Sequence, residues 1–455
     1  MALGSKRFEE QSVISLLRLF LGSIFILIGL MTPAFCRDKT PLDDVAERYV
    51  KLALKVGQYN PEYVDAYFGP PEWKPLPASD SLKKFPFEEY KSESAYLLDR
   101  MVEIKNSNLS VSQRRRWESL DDQIRSLKAM IAIINGEKLT FDEESMAIYR
   151  VQAPSYDSLH YDSLLRELDK LLPGQGNSQS RFIEFRKQFL IPHDRIDTLM
   201  KTTVAECRER TSKYIELPAG ESFVIELLPR QPWGAYNWYK GDYVSLIQID
   251  SSDDLGIESI IGLAAHEGYP GHHVQNLIQD GCFYRDSGWA EYSVQPLFSP
   301  RALIAEGGAD FGVSLLFPKR EWLAYMKSTL CPLAGVDTAK IEQYYDILKT
   351  KEALKYAGID GARSYLDGRR TREATITWRM HYSLSTRREA EDAVDFYERY
   401  RSYIITYSVG EDLSKNYIEA KGGTDQNPER RWELYKSILM NPISPEDLRV
   451  DQPSN

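Results

Sequence analysis

Cysteine, histidine and long basic runs are scarce in this chain. Its 455 residues include four cysteines and six histidines, and its formal net charge is −10. Binding to nucleic acid depends on lysine and arginine side chains that neutralise phosphates. An acidic chain without a basic run therefore predicts no nucleic-acid partner. The sequence shows no repeat and no low-complexity tract, and its 42% apolar and 27% charged residues are typical of a globular protein.

The few cysteines also restrict the metal chemistry. Three of them follow residue 36, and an odd number leaves at least one thiol unpaired, so the fold does not depend on a disulfide framework. No two of them have the spacing of a zinc knuckle. Any metal must therefore be bound by histidines and carboxylates. The three cysteines are Cys207, Cys282 and Cys331.

The first 36 residues have the pattern of an export signal. Lys6 and Arg7 precede an apolar run over residues 19–31, which is shorter than the roughly 20 residues that a membrane span needs. Pro-Ala-Phe-Cys follows at 33–36 and is typical of the region near a cleavage site. The sequence therefore predicts a signal peptide over 1–36 and a protein exported to the periplasm or cell envelope.

Two other fates of this N-terminal segment are open. An uncleaved anchor could start nearer Ser15, and it would then be the part of the chain that contacts the membrane. Cys36 could instead carry a lipid, although Phe35 is larger than the residue that usually precedes a lipid-modified cysteine. Cleavage of a simple signal peptide would give a mature chain that starts near Arg37.

Helical periodicity dominates the chain from residue 41 onward. Apolar residues return at a spacing close to 3.6 in segment 43–56, and similar patterns occupy most of 41–220. A proline-rich stretch at 61–77 predicts a loop. The predicted helical segments run over 43–56, 94–106, 111–134, 161–172, 182–190 and 194–214.

The pattern of apolar residues changes from helical to strand-like at Glu221. Segments 223–228 and 243–249 are rich in β-branched and aromatic residues and predict two strands, after which helical patterns return. We therefore predict a mainly α protein, with a helical N-terminal part over 41–220 and a second part over 221–445. A small β element begins the second part and directly precedes a histidine-rich helix.

Three of the six histidines lie within eight residues. The segment 265–273 reads Ala-His-Glu-Gly-Tyr-Pro-Gly-His-His, and isoleucines at helical spacing before it place His266 and Glu267 near the end of a buried helix. A standard zinc helix carries two histidines four residues apart, with a glutamate after the first. Here His272 and His273 come six and seven residues after the first histidine instead.

This spacing cannot work on an unbroken helix. Six residues turn the chain by about 240° and advance it by about 9 Å, so two ring nitrogens could not both lie about 2.1 Å from one zinc ion. Pro270 disrupts the helix, and Gly271 permits unusual backbone angles. We expect the resulting bulge to return one histidine to the metal, with His272 preferred. The other, His273, would then line the pocket and contact substrate.

A third ligand is predicted about thirty residues later. Ser299 and Pro300 are typical of a helix start, and the helix that follows carries Glu306 beside two glycines. Asp310 lies four residues further on, where it could accept the second N–H of a ligating histidine. Two histidines, Glu306 and one open position make the ligand set of a catalytic zinc site.

These motifs resemble those of a known bacterial family. The family first catalogued as domain of unknown function eight-eight-five has a similar His-Glu-x-x-Pro-Gly-His-His-x-Gln motif, found here at 266–275. Glu306 with Gly307, and Tyr-Ser-Val-Gly at 407–410, are similar to its other conserved segments. Where the family usually has an aromatic residue after Glu-Gly, this chain has Gly308. The resemblance implies a large helical metallopeptidase domain of the Glu-zincin type, with one zinc ion.

Other polar residues have less specific patterns. Tyr407 could donate a hydrogen bond to a developing oxyanion, or it could pack in the core as Tyr403 does. His381 could contact substrate in the cleft, although a buried and hydrogen-bonded histidine is the more common case. His160 and His193 fit structural or surface positions.

The sequence thus predicts a zinc-dependent hydrolase, with a peptidase as the leading interpretation and 221–445 as its catalytic part. Zinc would activate a water, and Glu267, as general base, would take the proton and pass it to the leaving group. The expected substrate is a peptide or small amide. Two other interpretations stay open: a catalytically silent metal-binding protein of the envelope, and a zinc amidase or esterase that acts on non-peptide bonds.

Overall fold

Helices account for most of the secondary structure in the computed structural model, which confirms the mainly α prediction. The structure describes residues 39–76, 84–231, 233–252 and 254–450, and the predicted signal peptide over 1–36 lies outside them. No helix in these ranges is both long and apolar enough to span a membrane. The described α-helices are α1 (Pro41–Gly57), α2 (Phe87–Lys105), α3 (Val111–Ile134), α4 (Phe141–Tyr149), α5 (Ser158–Leu171), α6 (Ser178–Arg186), α7 (Ile196–Ser212), α8 (Ile257–Leu263), α9 (His272–Ile278), α10 (Pro300–Leu316), α11 (Lys319–Tyr325), α12 (Cys331–Ala334), α13 (Ile341–Glu352), α14 (Lys355–Leu366), α15 (Arg372–Tyr382), α16 (Arg387–Tyr400), α17 (Ile405–Ala420) and α18 (Pro428–Leu439).

Shorter helical turns join several of these elements. Segments of π-helix are Ala264–Gly268, Gln279–Asp286 and Met326–Leu330. Turns of 3₁₀-helix are Pro71–Trp73, Lys187–Phe189, His193–Arg195, Ala290–Ser293, Arg401–Ile404 and Glu446–Leu448. The first π-helical segment continues α8 and contains the predicted His266 ligand.

Local side-chain signals set where several helices begin. Ser110, Thr140 and Thr386 each form a capping box with a glutamine or glutamate three residues further on. Such a box satisfies backbone N–H groups that have no partner inside the helix. At α10 the side chain of Ser299 accepts a backbone N–H at 3.1 Å and Pro300 occupies the first helical position, as predicted.

The β structure consists of short strands in two sheets. In the larger sheet β4 is central, parallel to β2 and antiparallel to β3; in the smaller sheet β1 and β5 are antiparallel. Both predicted strands after Glu221 are present. The sequence did not predict β1, which falls in the stretch 61–77 expected to be a loop, because four residues form a strand only when a distant partner pairs with them. The strands are β1 (Val64–Tyr67), β2 (Ser222–Leu228), β3 (Ala235–Gly241), β4 (Val244–Asp250) and β5 (Val294–Pro296).

Two hydrophobic cores meet along helices α10 and α17. One core draws on α5 to α9 and α18, and it includes Phe311 of α10 and Ile418 of α17. The other draws on α1 to α4 and on α14 to α16, and it includes Leu303 of α10 and Val409 of α17. Elements from both sides of the predicted division at Glu221 contribute to each core, and residues from Leu42 onward form one compact unit.

Helices α10 and α17 approach each other at two glycines. A Cβ atom on Gly307 would lie 1.9 Å from the carbonyl carbon of Gly410, and one on Gly410 would lie 2.3 Å from the carbonyl oxygen of Leu303. Any side chain at either position would collide with backbone, so only glycine permits this separation. This close approach brings residues of α17 near Glu306, which lies on α10.

Candidate metal centre

The histidine segment changes direction twice within six residues. Helix α8 runs into the π-helical segment Ala264–Gly268, and a turn then leads into α9, which begins at His272. Within that turn, a Cβ atom on Gly271 would lie 1.9 Å from the carbonyl oxygen of His266, so the chain can fold back only with glycine there. The Gly271 N–H donates to the Ala265 carbonyl at 2.9 Å. This turn places the rings of His266 and His272 4.6 Å apart.

Three side chains converge in the way that one metal ion requires. One ligand atom from each of His266, His272 and Glu306 lies within 4.8 Å of the others. Nε2 of His266 is 3.3 Å from Oε2 of Glu306, and Nε2 of His272 is 3.4 Å from Oε1. Ligand atoms 2.0–2.2 Å from a tetrahedral zinc lie about 3.3–3.6 Å apart. The cluster therefore fits a single ion with one position left open.

The pKa of Glu306 reflects this convergence. Burial alone would raise the pKa of the carboxyl, but the adjacent rings of His272 and His266 hold it well below its usual range. The carboxylate is therefore ionised, and it favours a cation or a protonated histidine beside it.

Hydrogen bonds on the outer side of each ring fix the orientation of the two histidines. Nδ1 of His266 is 2.8 Å from Oδ1 of Asp310, and Nδ1 of His272 is 3.2 Å from Oε1 of Gln275. Gln275 is itself held by donating to the Ala305 carbonyl at 2.9 Å. Both Nε2 atoms are thereby left facing Glu306, as in metal sites whose histidines are oriented by outer partners. Asp310 lies where the sequence predicted it, whereas Gln275 was noticed only as part of the motif.

Replacing Asp310 should weaken metal binding without abolishing it. In Asp310→Ala the His266 ring loses the acceptor that fixes its tautomer and orientation, which typically lowers metal affinity about 10- to 100-fold. Competition of the purified protein against a zinc chelator of known affinity measures this change. Glu411 of α17, which pairs with Lys355 of α14, provides a control of equal charge. Equal affinity in Asp310→Ala and Glu411→Ala would contradict the assigned role.

The structure corrects the prediction for His273. This side chain is fully buried, and both ring nitrogens are used: Nδ1 lies 2.8 Å from Oγ of Ser245, and Nε2 lies 3.0 Å from Oε2 of Glu221. Burial alone would raise the pKa of Glu221, but hydrogen bonds from His273, Tyr269 and Arg208 lower it to about 2. His273 therefore joins α9 to the sheet, and it neither lines the cleft nor reaches the metal cluster.

Glu267 lies beside the cluster without a partner of its own. Its side chain is 6% exposed, and its Oε2 has no hydrogen-bond partner among the described residues. The backbone is held in place because Asn237 donates to the Glu267 carbonyl at 2.7 Å. Burial raises the pKa of Glu267. A buried carboxylate without a hydrogen bond is costly to maintain, and this one faces the same cleft as His266 and His272.

Two tyrosines complete the wall of the cluster. The hydroxyl of Tyr403 donates to Oε1 of Glu306 at 2.8 Å, although the sequence suggested only a packing role for it. Tyr407 lines the cleft, with its ring centroid 6.5 Å from that of His266. Tyr407 therefore faces the same cleft as His266.

The cluster opens into a cleft of about 1270 Å³. Its walls come from the edge of β3, from α8 to α10, from β1 and β5, and from α16 and α17. His381 does not reach it, because it lines a separate pocket with Asp162 and Arg387, and this corrects its predicted role in the cleft. Asp65 does line the cleft, but this position could not be predicted because its strand was not predicted.

Comparisons with known proteins bear on the fold alone. No protein-family model matches the chain, and no curated protein matches it. The "putative lipoprotein" from Colwellia psychrerythraea is similar in structure, with 12% identity and a TM-score of 0.50 over 80% of this chain and 68% of that one. A "putative lipoprotein of unknown function" from Shewanella oneidensis has 14% identity and a TM-score of 0.44, over 80% of this chain and 72% of its own.

Proposed function

We propose that this protein is a zinc-dependent hydrolase that cleaves peptide bonds. The observation that carries the proposal is the convergence of His266, His272 and Glu306 on one point. Two imidazole nitrogens and one carboxylate oxygen are a common zinc ligand set in hydrolases, where a fourth position stays open for water. The unpartnered carboxylate of Glu267 on the wall of the same cleft adds the group that such chemistry needs.

The roles of the surrounding side chains follow from their positions. Zinc, when bound, supplies a Lewis acid and a water of lowered pKa. Glu267 accepts the proton of the attacking water, and its raised pKa suits it to hold that proton and return it to the leaving nitrogen. Tyr407 donates to the developing oxyanion. Tyr403 and Asp310 hold Glu306 and His266 in place.

Removal and return of the metal test this proposal on the purified full chain. We expect about one zinc ion per protein, cleavage of peptides in a mixed library, loss of cleavage after chelation, and recovery with zinc but not with magnesium. Magnesium is the control because it favours oxygen ligands in octahedral geometry over imidazole nitrogens. A zinc-loaded protein that cleaves no peptide in the library would refute the peptidase proposal.

We also propose that the protein is exported to the cell envelope. The support is the basic and apolar pattern of residues 1–36, together with the name of the Colwellia protein of similar fold, a "putative lipoprotein". The choice between a cleaved signal, an anchor and a lipid on Cys36 stays a prediction.

A further inference from the structure

Asp65 is an acidic side chain of the cleft that lies outside the metal cluster and forms no ion pair with any residue that the structure describes. Asp65 lies on β1, which pairs with β5 through Val64 opposite Pro296 and Ala66 opposite Gln295. Two steps along β1 thus match one step along β5, so Asp65 is the extra residue of a β-bulge. Bulges re-aim a side chain and are frequent beside active sites. Here the bulge directs Asp65 into the cleft that contains His266, His272 and Glu306.

Among the charges that act most strongly on this carboxylate in the described part of the chain, only that of His272 is favourable. Oδ1 of Asp65 is buried and has no hydrogen-bond partner there. Burial raises the pKa of Asp65 to about 7, and the charges that act on it most strongly are those of His272, Glu306 and Glu267. Burying a carboxylate without a hydrogen-bond donor or a cation costs free energy. Such a residue is rarely retained unless it has a function.

Two arginines of the same cleft are directed to other partners. Nε of Arg399 donates to Glu62 at 3.1 Å. The guanidinium of Arg301 donates to the backbone carbonyl of Glu291, also at 3.1 Å. Neither has a hydrogen bond to Asp65 among the described residues. The carboxylate of Asp65 therefore lines the cleft without a hydrogen bond to either arginine.

We propose that Asp65 binds the free amino terminus of the substrate, so that the enzyme cleaves short peptides from their amino end. An ammonium group is the cation that a peptide substrate carries closest to its first peptide bonds. It can donate to the side of the Asp65 carboxylate that faces the cleft and compensate its charge, as a largely buried carboxylate requires. Asp65 is thus a specificity-determining residue, and this inference rests on the proposed peptidase function.

Three peptides and two variants test the proposal on the zinc-loaded full chain. The peptides are trialanine, N-acetyl-trialanine, and N-acetyl-Ala-Lys-Ala, whose only ammonium is a side chain. Asp65→Asn removes the charge with little change of shape. Asp99→Asn, the same substitution at an exposed position outside the cleft lining, is the matched control.

Wild type should prefer trialanine over both acetylated peptides by about 10²-fold in kcat/KM. The reason is that an acetylated peptide has no terminal ammonium, so the carboxylate of a desolvated charge pair is left without its partner. Asp65→Asn should lose this preference through a higher KM for trialanine, with the acetylated peptides changed less than twofold. Asp99→Asn should keep the preference. Equal loss on all three peptides in Asp65→Asn, or an unchanged preference, would overturn the proposal. Efficient, Asp65-dependent cleavage of the lysine peptide would overturn its assignment to the amino terminus.

Binding separates this inference from the peptidase proposal. The affinities of the three peptides for Glu267→Gln, measured by calorimetry, should show the same preference for trialanine, and Glu267→Gln/Asp65→Asn should abolish it. Preferential binding of trialanine without any cleavage by wild type would refute the peptidase proposal and leave the amine site standing. Cleavage without any preference for the free amine would leave the peptidase proposal standing and overturn the amine site. Absence of binding to all three peptides would also overturn the amine site.

Stability gives a readout that does not depend on catalysis. Because Oδ1 of Asp65 has no partner among the described residues, Asp65→Asn should leave the Tm of the metal-free protein unchanged or raise it by about 1–3 °C. A fall of more than a few degrees would show that Asp65 supports the fold, which would overturn the proposal.

Discussion

Glu267→Gln should keep its zinc and lose about 10²–10⁴-fold in turnover. Glutamine has the size and shape of glutamate but cannot accept and return a proton, so the general acid–base contribution disappears. No proposed metal ligand is removed, because the candidate cluster consists of His266, His272 and Glu306. The measurement is zinc content by elemental analysis beside kcat on one peptide. It should be made on wild type and variant from the same preparation.

The same pair of measurements separates an enzyme from a silent metal protein. A Glu267→Gln variant with full activity would remove this residue from the mechanism. A wild type that binds zinc yet cleaves no peptide, amide or ester would favour the metal-binding interpretation instead. The fold should be unaffected in the variant, since Oε2 of Glu267 has no hydrogen bond to lose among the described residues.

His272→Ala should lose both zinc and activity, whereas the adjacent His273→Ala should keep its zinc. The first change removes one of three ligands from a site that has no spare ligand in the cluster. The second removes a ring whose nitrogens contact Ser245 and Glu221, away from the metal cluster. Loss of those hydrogen bonds should lower stability by about 2–3 kcal/mol, because buried polar groups are left without partners.

This comparison has an internal control, because the two histidines are neighbours in the chain and the substitutions are identical. Zinc content and the denaturant midpoint are measured on both variants, with His266→Ala expected to match His272→Ala. Loss of zinc from His273→Ala at a temperature where it remains folded would contradict the assignment. Retention of full zinc occupancy in His272→Ala would do so equally.

Much of the metal cluster could be predicted from the sequence because its determinants are local. His266 and Glu267 at a helix end, a Pro-Gly break after them, and a capped helix that carries Glu306 are each visible within a few residues. The helical content was predictable for the same reason, since periodicity and caps act within one or two turns. Asp310 followed from Glu306 by helical spacing alone.

The choice between His272 and His273 could not be made in this way. Consecutive residues at a helix start differ by about 100° in direction, so the partner elements decide which ring faces the metal. Glu221, directly before β2, and Ser245, on the adjacent strand β4, bind the second ring and leave the first for the cluster. A sequence motif shows that two histidines are present, but it does not show what lies on each side of them.

The sequence by itself determined the helical class, the histidine-rich break and the types of the candidate ligands, because turns, caps and periodicity depend on neighbouring residues. Only the tertiary structure decided which groups share the cleft. Asp65 enters it through a bulge that exists because β1 pairs with β5, and Tyr403 reaches Glu306 because Gly307 and Gly410 let two helices touch. Such contacts join residues far apart in the chain, and their formation depends on the packing of the whole fold rather than on any local pattern.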